Sequence, residues 1–133
     1  MADSRDQSTK DLTVTPIGGD IRLSNRKGSA KFDVTNTSGL TLNVEVKPLL
    51  ATSPGPSGIK PADASWLKVD GGEPFKLNNG DTHTFTVLID ATNAPKLPAE
   101  QKYMFCLHAN SYEMPDYHWG ECDQVVFPVP GTR

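Results

Sequence analysis

Long apolar runs are missing from this sequence. No stretch of its 133 residues approaches the roughly 18 consecutive apolar positions that a membrane-spanning helix needs. The first residues, MADSRDQSTKD, are polar throughout and lack the apolar core of a secretory signal. The sequence therefore predicts no membrane span. As it stands it is typical of a cytoplasmic chain, and a secreted or surface location stays open if a leader has been removed.

Clusters of positive charge are missing as well. The chain has 13 Lys and Arg against 16 Asp and Glu, which gives a formal net charge of −3 at pH 7, and its basic residues are scattered. Nucleic-acid binding depends on a concentrated positive face that neutralises phosphates. We therefore expect no nucleic-acid partner.

Motifs for catalysis and for metal or cofactor binding are absent too. The chain has no G-x-S-x-G, no phosphate-binding loop and no Gly-rich dinucleotide motif. Its three histidines lack zinc-ligand spacing, and Asp116, Glu121 and Asp123 lack the spacing of an EF-hand. We therefore predict a protein that is not an enzyme, with no catalytic residue, no metal ligand and no cofactor. A small hydrolase or metal protein is the weakest alternative.

What the sequence does contain is alternation of apolar and polar residues with period two. Phe32 and Val34 alternate with Lys31 and Asp33 in one run, and similar runs follow along the chain. Such alternation is typical of strands that have one buried and one solvated face. Eleven Gly and eleven Pro punctuate these runs. The pattern predicts an all-β fold, an antiparallel Ig-like β-sandwich of about 7–8 strands.

The domain organisation follows from where the alternation begins and ends. Residues 11–130 are predicted to form a single Ig-like β-sandwich domain, and the polar residues 1–10 a disordered N-terminal tail. One Pro-rich segment, LATSPGPSGIKPADAS at 50–65, interrupts the alternation. We expect the chain to cross from one sheet to the other there.

The order of several motifs resembles a known family. FDVTNTSG is followed by SWLKVDGGEPFKLNNGDTHTFTVLID, then by LPAEQKYMFCLHA and a terminal VVFPV. Over most of residues 11–130 this resembles the bacterial Ig-like β-sandwich domains of the BACON-like group. The resemblance implies a sandwich that serves as a binding module, a spacer or an adhesion unit. The chain departs from the antibody-type pattern because the strand containing Phe32 has no Cys for an inter-sheet disulfide.

The two cysteines, Cys106 and Cys122, flank the segment that is richest in functional groups. If this segment is the loop of a hairpin, the two lie on adjacent strands and a cross-strand disulfide is possible. Two free thiols are the alternative, which a cytoplasmic location favours. Cys106 alternates with Phe105 and Leu107, so it is expected to point outward.

That segment, YEMPDYHWGECD, combines aromatic rings with carboxylates and is predicted to belong to the hairpin loop 111–121, which joins the last two strands. Exposed aromatic side chains beside hydrogen-bonding groups are used to bind sugars and peptides. Trp119 could instead fold back onto the core, because large aromatic side chains are mostly buried. A second candidate surface is a weakly apolar outward patch near Met104 and Val126. The predicted partner-binding residues are Tyr112, Asp116, Tyr117, Trp119, Met104 and Val126.

The sequence therefore favours a non-catalytic module for protein–protein interaction or scaffolding, as a component of a larger bacterial assembly. A protein partner is expected. The alternative is a carbohydrate-binding or adhesion module that uses Trp119, Tyr117 and Trp66 to bind a glycan.

Overall fold

The computed structural model describes residues 11–70, 74–115 and 117–131. The predicted tail at 1–10 lies outside the described residues. Apart from two short 3-10 turns, this part of the chain is built from strands, which confirms the all-β prediction. The strands are β1 Leu12–Ile17, β2 Lys27–Asn36, β3 Leu42–Leu49, β4 Lys60–Pro61, β5 Leu67–Asp70, β6 Phe75–Leu77, β7 Thr82–Asp90, β8 Gln101–Ser111, β9 Trp119–Glu121 and β10 Val125–Val129. In the described ranges, no helix has the length and apolar character to cross a membrane.

The strands form two sheets. One sheet has the order β1-β2-β7-β5, and the other has the order β10-β8-β3-β6, with β4 and β9 also paired to β8. All these pairs are antiparallel except β4 with β8, which is parallel. The prediction of about 7–8 antiparallel strands was therefore wrong in two respects, because the described residues form ten strands and one sheet is mixed. The extra strands β4, β6 and β9 are only two or three residues long, too short to show alternation.

The core lies between the two sheets, where the alternating sequence predicts it. Phe32 and Val34 in β2 are fully buried, as are Phe105 and Leu107 in β8. The rings of Phe32 and Phe105 meet edge to face with their centroids 5.9 Å apart, which joins one sheet to the other. Burial of each large apolar side chain stabilises the fold by about 1.5–3 kcal/mol, so this central layer contributes much of the stability.

The Pro-rich segment carries the chain from β3 in the six-stranded sheet to β5 in the four-stranded sheet, as predicted. It ends in a 3-10 turn at Ala64–Trp66, where the Asp63 side chain accepts a hydrogen bond from the Ser65 amide. Trp66 is only 7% exposed, and its ring meets Tyr103 edge to face with the centroids 4.9 Å apart. The alternative that used Trp66 to bind a glycan was therefore wrong for this residue, because its ring is packed into the core.

The same segment covers part of the outer face of β8. The backbone of Gly55 lies against the Met104 sulfur, and the amide of Ala62 donates a hydrogen bond to the Met104 carbonyl. Met104 is consequently 6% exposed, whereas its register partner Val126 in β10 is 37% exposed. The predicted outward patch was wrong for Met104, because alternation gives the face of a sheet but does not show what covers that face.

A buried asparagine holds the turn after β2. Asn36 is fully buried, and its side-chain amide donates to the carbonyls of Leu40 and Leu77 at 2.7 and 2.8 Å. Its Oδ1 accepts from both the amide and the hydroxyl of Ser38. Residues 36–38, Asn-Thr-Ser, therefore form a turn, and the Asn36 side chain is inaccessible to solvent in the folded chain.

Strand β9 packs against β1, which belongs to the other sheet. A Cβ atom on Gly120 would overlap the carbonyl oxygen of Leu12, so only glycine permits this approach. Just before β9, the His118 Nδ1 lies 2.6 Å from the Asp11 Oδ2. These contacts fix the position of the loop between β8 and β9.

Candidate functional site

The segment that the sequence singled out forms the β8–β9 loop, residues 112–118, and continues into β9. Tyr112 is 59% exposed and Tyr117 is 64% exposed, as expected for loop aromatics, and Met114 between them is 45% exposed. Asp116, the remaining predicted loop residue, lies outside the described residues. The predicted loop 111–121 was too long, because Trp119 and Glu121 belong to strand β9. The binding role of these residues stays a prediction.

The sequence left two positions open for Trp119, an exposed position in the loop and a position folded back onto the core, and the structure shows neither. Its side chain is half-buried, and its ring is nearly parallel to the imidazole of His108, with an interplanar angle of 15° and centroids 6.0 Å apart. Gly120 beside it faces β1, so Trp119 and Glu121 lie on the outer face of the six-stranded sheet. Trp119 therefore belongs to a sheet surface and does not cap the core.

Strand register brings six side chains together on this outer face. Glu45 of β3 is opposite Asn110 of β8, which is opposite Trp119 of β9. One step along, Lys47 is opposite His108, which is opposite Glu121. We call this set the six-residue face: Glu45, Lys47, His108, Asn110, Trp119 and Glu121. From ordinary strand geometry it measures about 10 Å across three strands and about 7 Å between the two rows.

Hydrogen bonds fix the polar groups of the six-residue face. Asn110 is 3% exposed, and its Nδ2 donates to the Glu45 Oε1 at 3.2 Å. The Nδ1 of His108 lies 3.1 Å from the Glu121 Oε2. Since a carboxylate oxygen only accepts, Nδ1 carries the proton, and in the neutral imidazole Nε2 is then an acceptor. The face is therefore held in position before any ligand arrives.

The six-residue face forms the floor of a groove of about 450 Å³. Pro115 of the β8–β9 loop and Leu49 of β3 complete its lining. This volume is within the usual range of small-ligand sites, about 300–1,000 Å³. Most such sites are lined by apolar side chains, whereas five of the eight lining side chains here are polar or charged. The groove is therefore better suited to a ligand rich in hydrogen-bonding groups than to an apolar one.

Cys106 and Cys122 are both free thiols in the structure, which contains no disulfide between them. Cys106 is 3% exposed, which corrects the expectation that it faces solvent. Its neighbours include Cys122, Glu121 and Gln124, so the segment after β9 lies over it. Burial raises the pKa of the Cys106 thiol to about 12 and also raises the pKa of Cys122. Neither thiol is poised to act as a nucleophile, since the reactive form is the thiolate.

The sequence did not point to most of the six-residue face. Glu45, Lys47 and Asn110 belong to no motif, and Glu45 and Lys47 are far from Trp119 along the chain. The signal that could have found them is the pairing of β3 with β8, because register then places alternate residues of both strands side by side. Within the described ranges, no group of three His, Cys, Asp or Glu side chains could hold a metal ion.

Comparison with known proteins adds information about the fold. No family model matches the chain, and no curated protein matches it. A similar solved structure is a family 123 glycoside hydrolase from Clostridium perfringens, whose report concerns glycolipid glycan hydrolysis. The two share 9% identity with a TM-score of 0.56, over 92% of this chain and 28% of the hydrolase chain. This chain thus spans little more than a quarter of that protein, and at this identity the likeness is one of fold alone.

Proposed function

We propose that this chain is a non-catalytic Ig-like sandwich module that binds carbohydrate through the six-residue face. The observation that carries the proposal is the position of Trp119, half-buried on a sheet face beside hydrogen-bonded Asn110, His108 and Glu121. The resemblance to BACON-like domains is compatible with such a role. The fold likeness to a chain that hydrolyses glycans does not carry the proposal.

The physical argument concerns what a sugar presents to a protein. A pyranose has an apolar face of C–H groups and an edge of hydroxyls that both donate and accept. An indole ring provides a large rigid surface for the C–H face. Carboxylate groups at fixed positions accept from the hydroxyls, and little ordering cost remains because Glu45 is already held by Asn110 and Glu121 by His108.

The same geometry favours binding over catalysis. The Glu45 carboxylate already accepts from Asn110, and the Glu121 carboxylate already pairs with His108. The groove lies on the outer face of a sheet, whereas most glycoside hydrolases use a carboxylic acid whose pKa is raised by its surroundings. The six-residue face thus provides positioned hydrogen-bonding partners for a bound ligand.

The test is titration of the full chain with a panel of neutral and acidic oligosaccharides, followed by calorimetry and Trp fluorescence. We expect Trp119→Ala to abolish binding and Trp119→Phe to retain part of it, because a phenyl ring keeps some of the stacking surface. Leu88→Ala is the matched control, since Leu88 is 44% exposed on β7 in the other sheet. Absence of binding across the panel, or binding that survives Trp119→Ala, overturns the proposal.

A second candidate is protein–protein interaction or scaffolding within a larger bacterial assembly. It is favoured by the β8–β9 loop, which exposes Tyr112, Met114 and Tyr117 within six residues. Tyrosine and methionine are enriched in protein interfaces, and tyrosine provides a large contact area at low ordering cost. Docking there would not require the groove.

The second candidate is tested with the double variant Tyr112→Ala and Tyr117→Ala. A purified protein that binds the unmodified chain should lose at least about tenfold in affinity for the double variant, which is the loss expected from two interface tyrosines. Leu88→Ala should leave its affinity unchanged. If the double variant binds as tightly as the unmodified chain, the loop is not the docking surface.

A further inference from the structure

We propose that the six-residue face selects neutral saccharides and rejects acidic ones; this inference rests on the carbohydrate-binding function proposed above. The net charge of the groove and the hydrogen-bonding groups that line it both indicate this ligand class. Sialylated, uronic-acid and sulfated sugars are the class that it excludes.

The charge argument does not depend on the protonation of His108. Glu45 and Glu121 bring two negative charges to the groove, and Lys47 brings one positive charge. A neutral His108 leaves the groove with a net charge of −1, and a protonated His108 leaves it with zero. In neither state does the groove carry a net positive charge that could compensate an anionic ligand.

The surroundings of the groove do not reverse this balance. The remaining lining residues, Leu49, Asn110, Pro115 and Trp119, are uncharged. The nearby β8–β9 loop adds Glu113, whose carboxylate accepts from the Asn43 side chain. Lys47 is therefore the only lysine or arginine that lines the groove among the described residues, and it lies in the same row as His108 and Glu121.

Hydrogen-bonding capacity points to the same ligand class. Each carboxylate of the face has one oxygen engaged, Glu45 with Asn110 and Glu121 with His108, which leaves a second oxygen able to accept. Sugar hydroxyls are donors and match these acceptors. A ligand carboxylate or sulfate brings only acceptors at neutral pH, so at its position it adds like-charge repulsion and offers no donor to a nearby carboxylate of the face.

The size of the face limits the ligand to a short glycan segment. Three paired strands give a width of about 10 Å, which suits a disaccharide lying across the strands from Glu45 towards Trp119. Pro115 of the β8–β9 loop also lines the groove. An acidic substituent on either sugar ring would lie near at least one of the two carboxylates.

The experiment compares the binding of neutral and acidic glycans to the full chain. A glycan array identifies the pairs that bind, and calorimetry measures the affinity of each member. The probe pairs are lactose with 3′-sialyllactose, and cellobiose with cellobiouronic acid. The neutral member of each bound pair should bind at least about tenfold more tightly than its acidic partner. The preference should shrink as salt is raised, because salt screens repulsion between exposed charges.

Variants that change the charge of the groove distinguish selection of the ligand by charge from selection by shape. Glu45→Gln keeps the size of the side chain and removes its charge, so it should narrow the gap between neutral and acidic probes. Lys47→Gln should widen the gap. Acidic members that bind as tightly as their neutral partners, or a gap that Glu45→Gln leaves unchanged, overturn this inference while the carbohydrate-binding function stands. Absence of binding by every member overturns the proposed function itself, and this inference with it.

Discussion

The Nδ1 of His118 lies 2.6 Å from the Oδ2 of Asp11, two residues that are more than a hundred positions apart in the sequence. Both side chains are mostly buried, at 16% and 18% exposure, and the second carboxylate oxygen of Asp11 is buried without a hydrogen-bond partner. The contact ties the end of the β8–β9 loop to the start of β1. The exposed tyrosines of this loop are therefore presented on an anchored segment.

Removing this contact should destabilise the protein asymmetrically. His118→Ala leaves a mostly buried Asp11 carboxylate without its partner, so we expect a loss of about 2 kcal/mol in the free energy of unfolding. Asp11→Ala removes the charge itself and should cost less. Urea denaturation of both single variants and the double variant forms a cycle, with an expected coupling of about 1 kcal/mol. Purely additive losses would mean that the contact contributes nothing.

Gly120 provides a test of the packing of β9 against β1. Gly120→Ala places a methyl group on the Leu12 carbonyl, which is backbone and cannot rotate away. We expect a loss of at least about 3 kcal/mol, at the upper end of overpacking costs. The control is Gly80→Ala, where φ is +86° and nothing lies within 4 Å, so only about 1 kcal/mol of backbone strain is expected. Equal losses in the two variants would show that β9 does not pack closely on β1.

Asn36 tests whether the turn after β2 depends on a buried polar side chain. Asn36→Ala leaves the carbonyls of Leu40 and Leu77 without their side-chain donor, so we expect a loss of about 3 kcal/mol. Asn43→Ala is the matched control, because its side-chain bond to Glu113 is exposed, and its cost should stay at about 0.5 kcal/mol. Denaturation of the two variants side by side distinguishes them. A small loss for Asn36→Ala would mean that water replaces the lost donor.

The sequence predicted the long strands and their buried faces because alternation records burial directly. Phe32, Val34, Phe85, Phe105 and Phe127 all lie in the core where the pattern places them. Coverage of an outer face is a different property, since it depends on where a distant loop folds. Residues 50–65 show no alternation, and nothing in them indicates that they cover Met104 or that Trp66 packs on Tyr103.

The candidate site was predicted only in part, for a related reason. Trp119 and Tyr117 stood out because several aromatic residues occur within a few positions of each other in the sequence. The polar partners Glu45, Lys47 and Asn110 reach Trp119 only through the pairing of β3, β8 and β9. The pairing of β3 with β8 joins residues more than sixty positions apart, and a local sequence pattern carries no information about it.

Trp66 and Trp119 should be distinguishable by fluorescence even without a ligand. Trp66 is 7% exposed and packed on Tyr103, whereas Trp119 is half-buried on the six-residue face. We expect iodide to quench the Trp66→Phe variant, which retains Trp119, more strongly than the Trp119→Phe variant, which retains Trp66. Circular dichroism confirms that both variants are folded. Equal quenching of the two variants would contradict the position of Trp119 on an accessible sheet face.

The buried thiol of Cys106 should make stability depend on pH in the alkaline range. Burial raises its pKa from 9.0 to about 12, so the folded state keeps its proton over a range in which the unfolded chain loses it. The stabilising effect is therefore complete below about pH 9 and is lost as the pH rises from 9 towards 12.

The measurement is the free energy of unfolding against pH for the unmodified chain and for Cys106→Ala. One proton of difference corresponds to a slope of up to about 1.4 kcal/mol per pH unit, and we expect the unmodified chain to lose stability more steeply than the variant above pH 9. The comparison of slopes removes the contributions of Lys and Tyr, which titrate in both proteins. Under native conditions at pH 7.5, Cys106 should react with a thiol reagent only as fast as the chain opens, because the buried group stays a neutral thiol. Identical slopes, or rapid labelling of Cys106 in the folded chain, would show that the thiol is accessible to water.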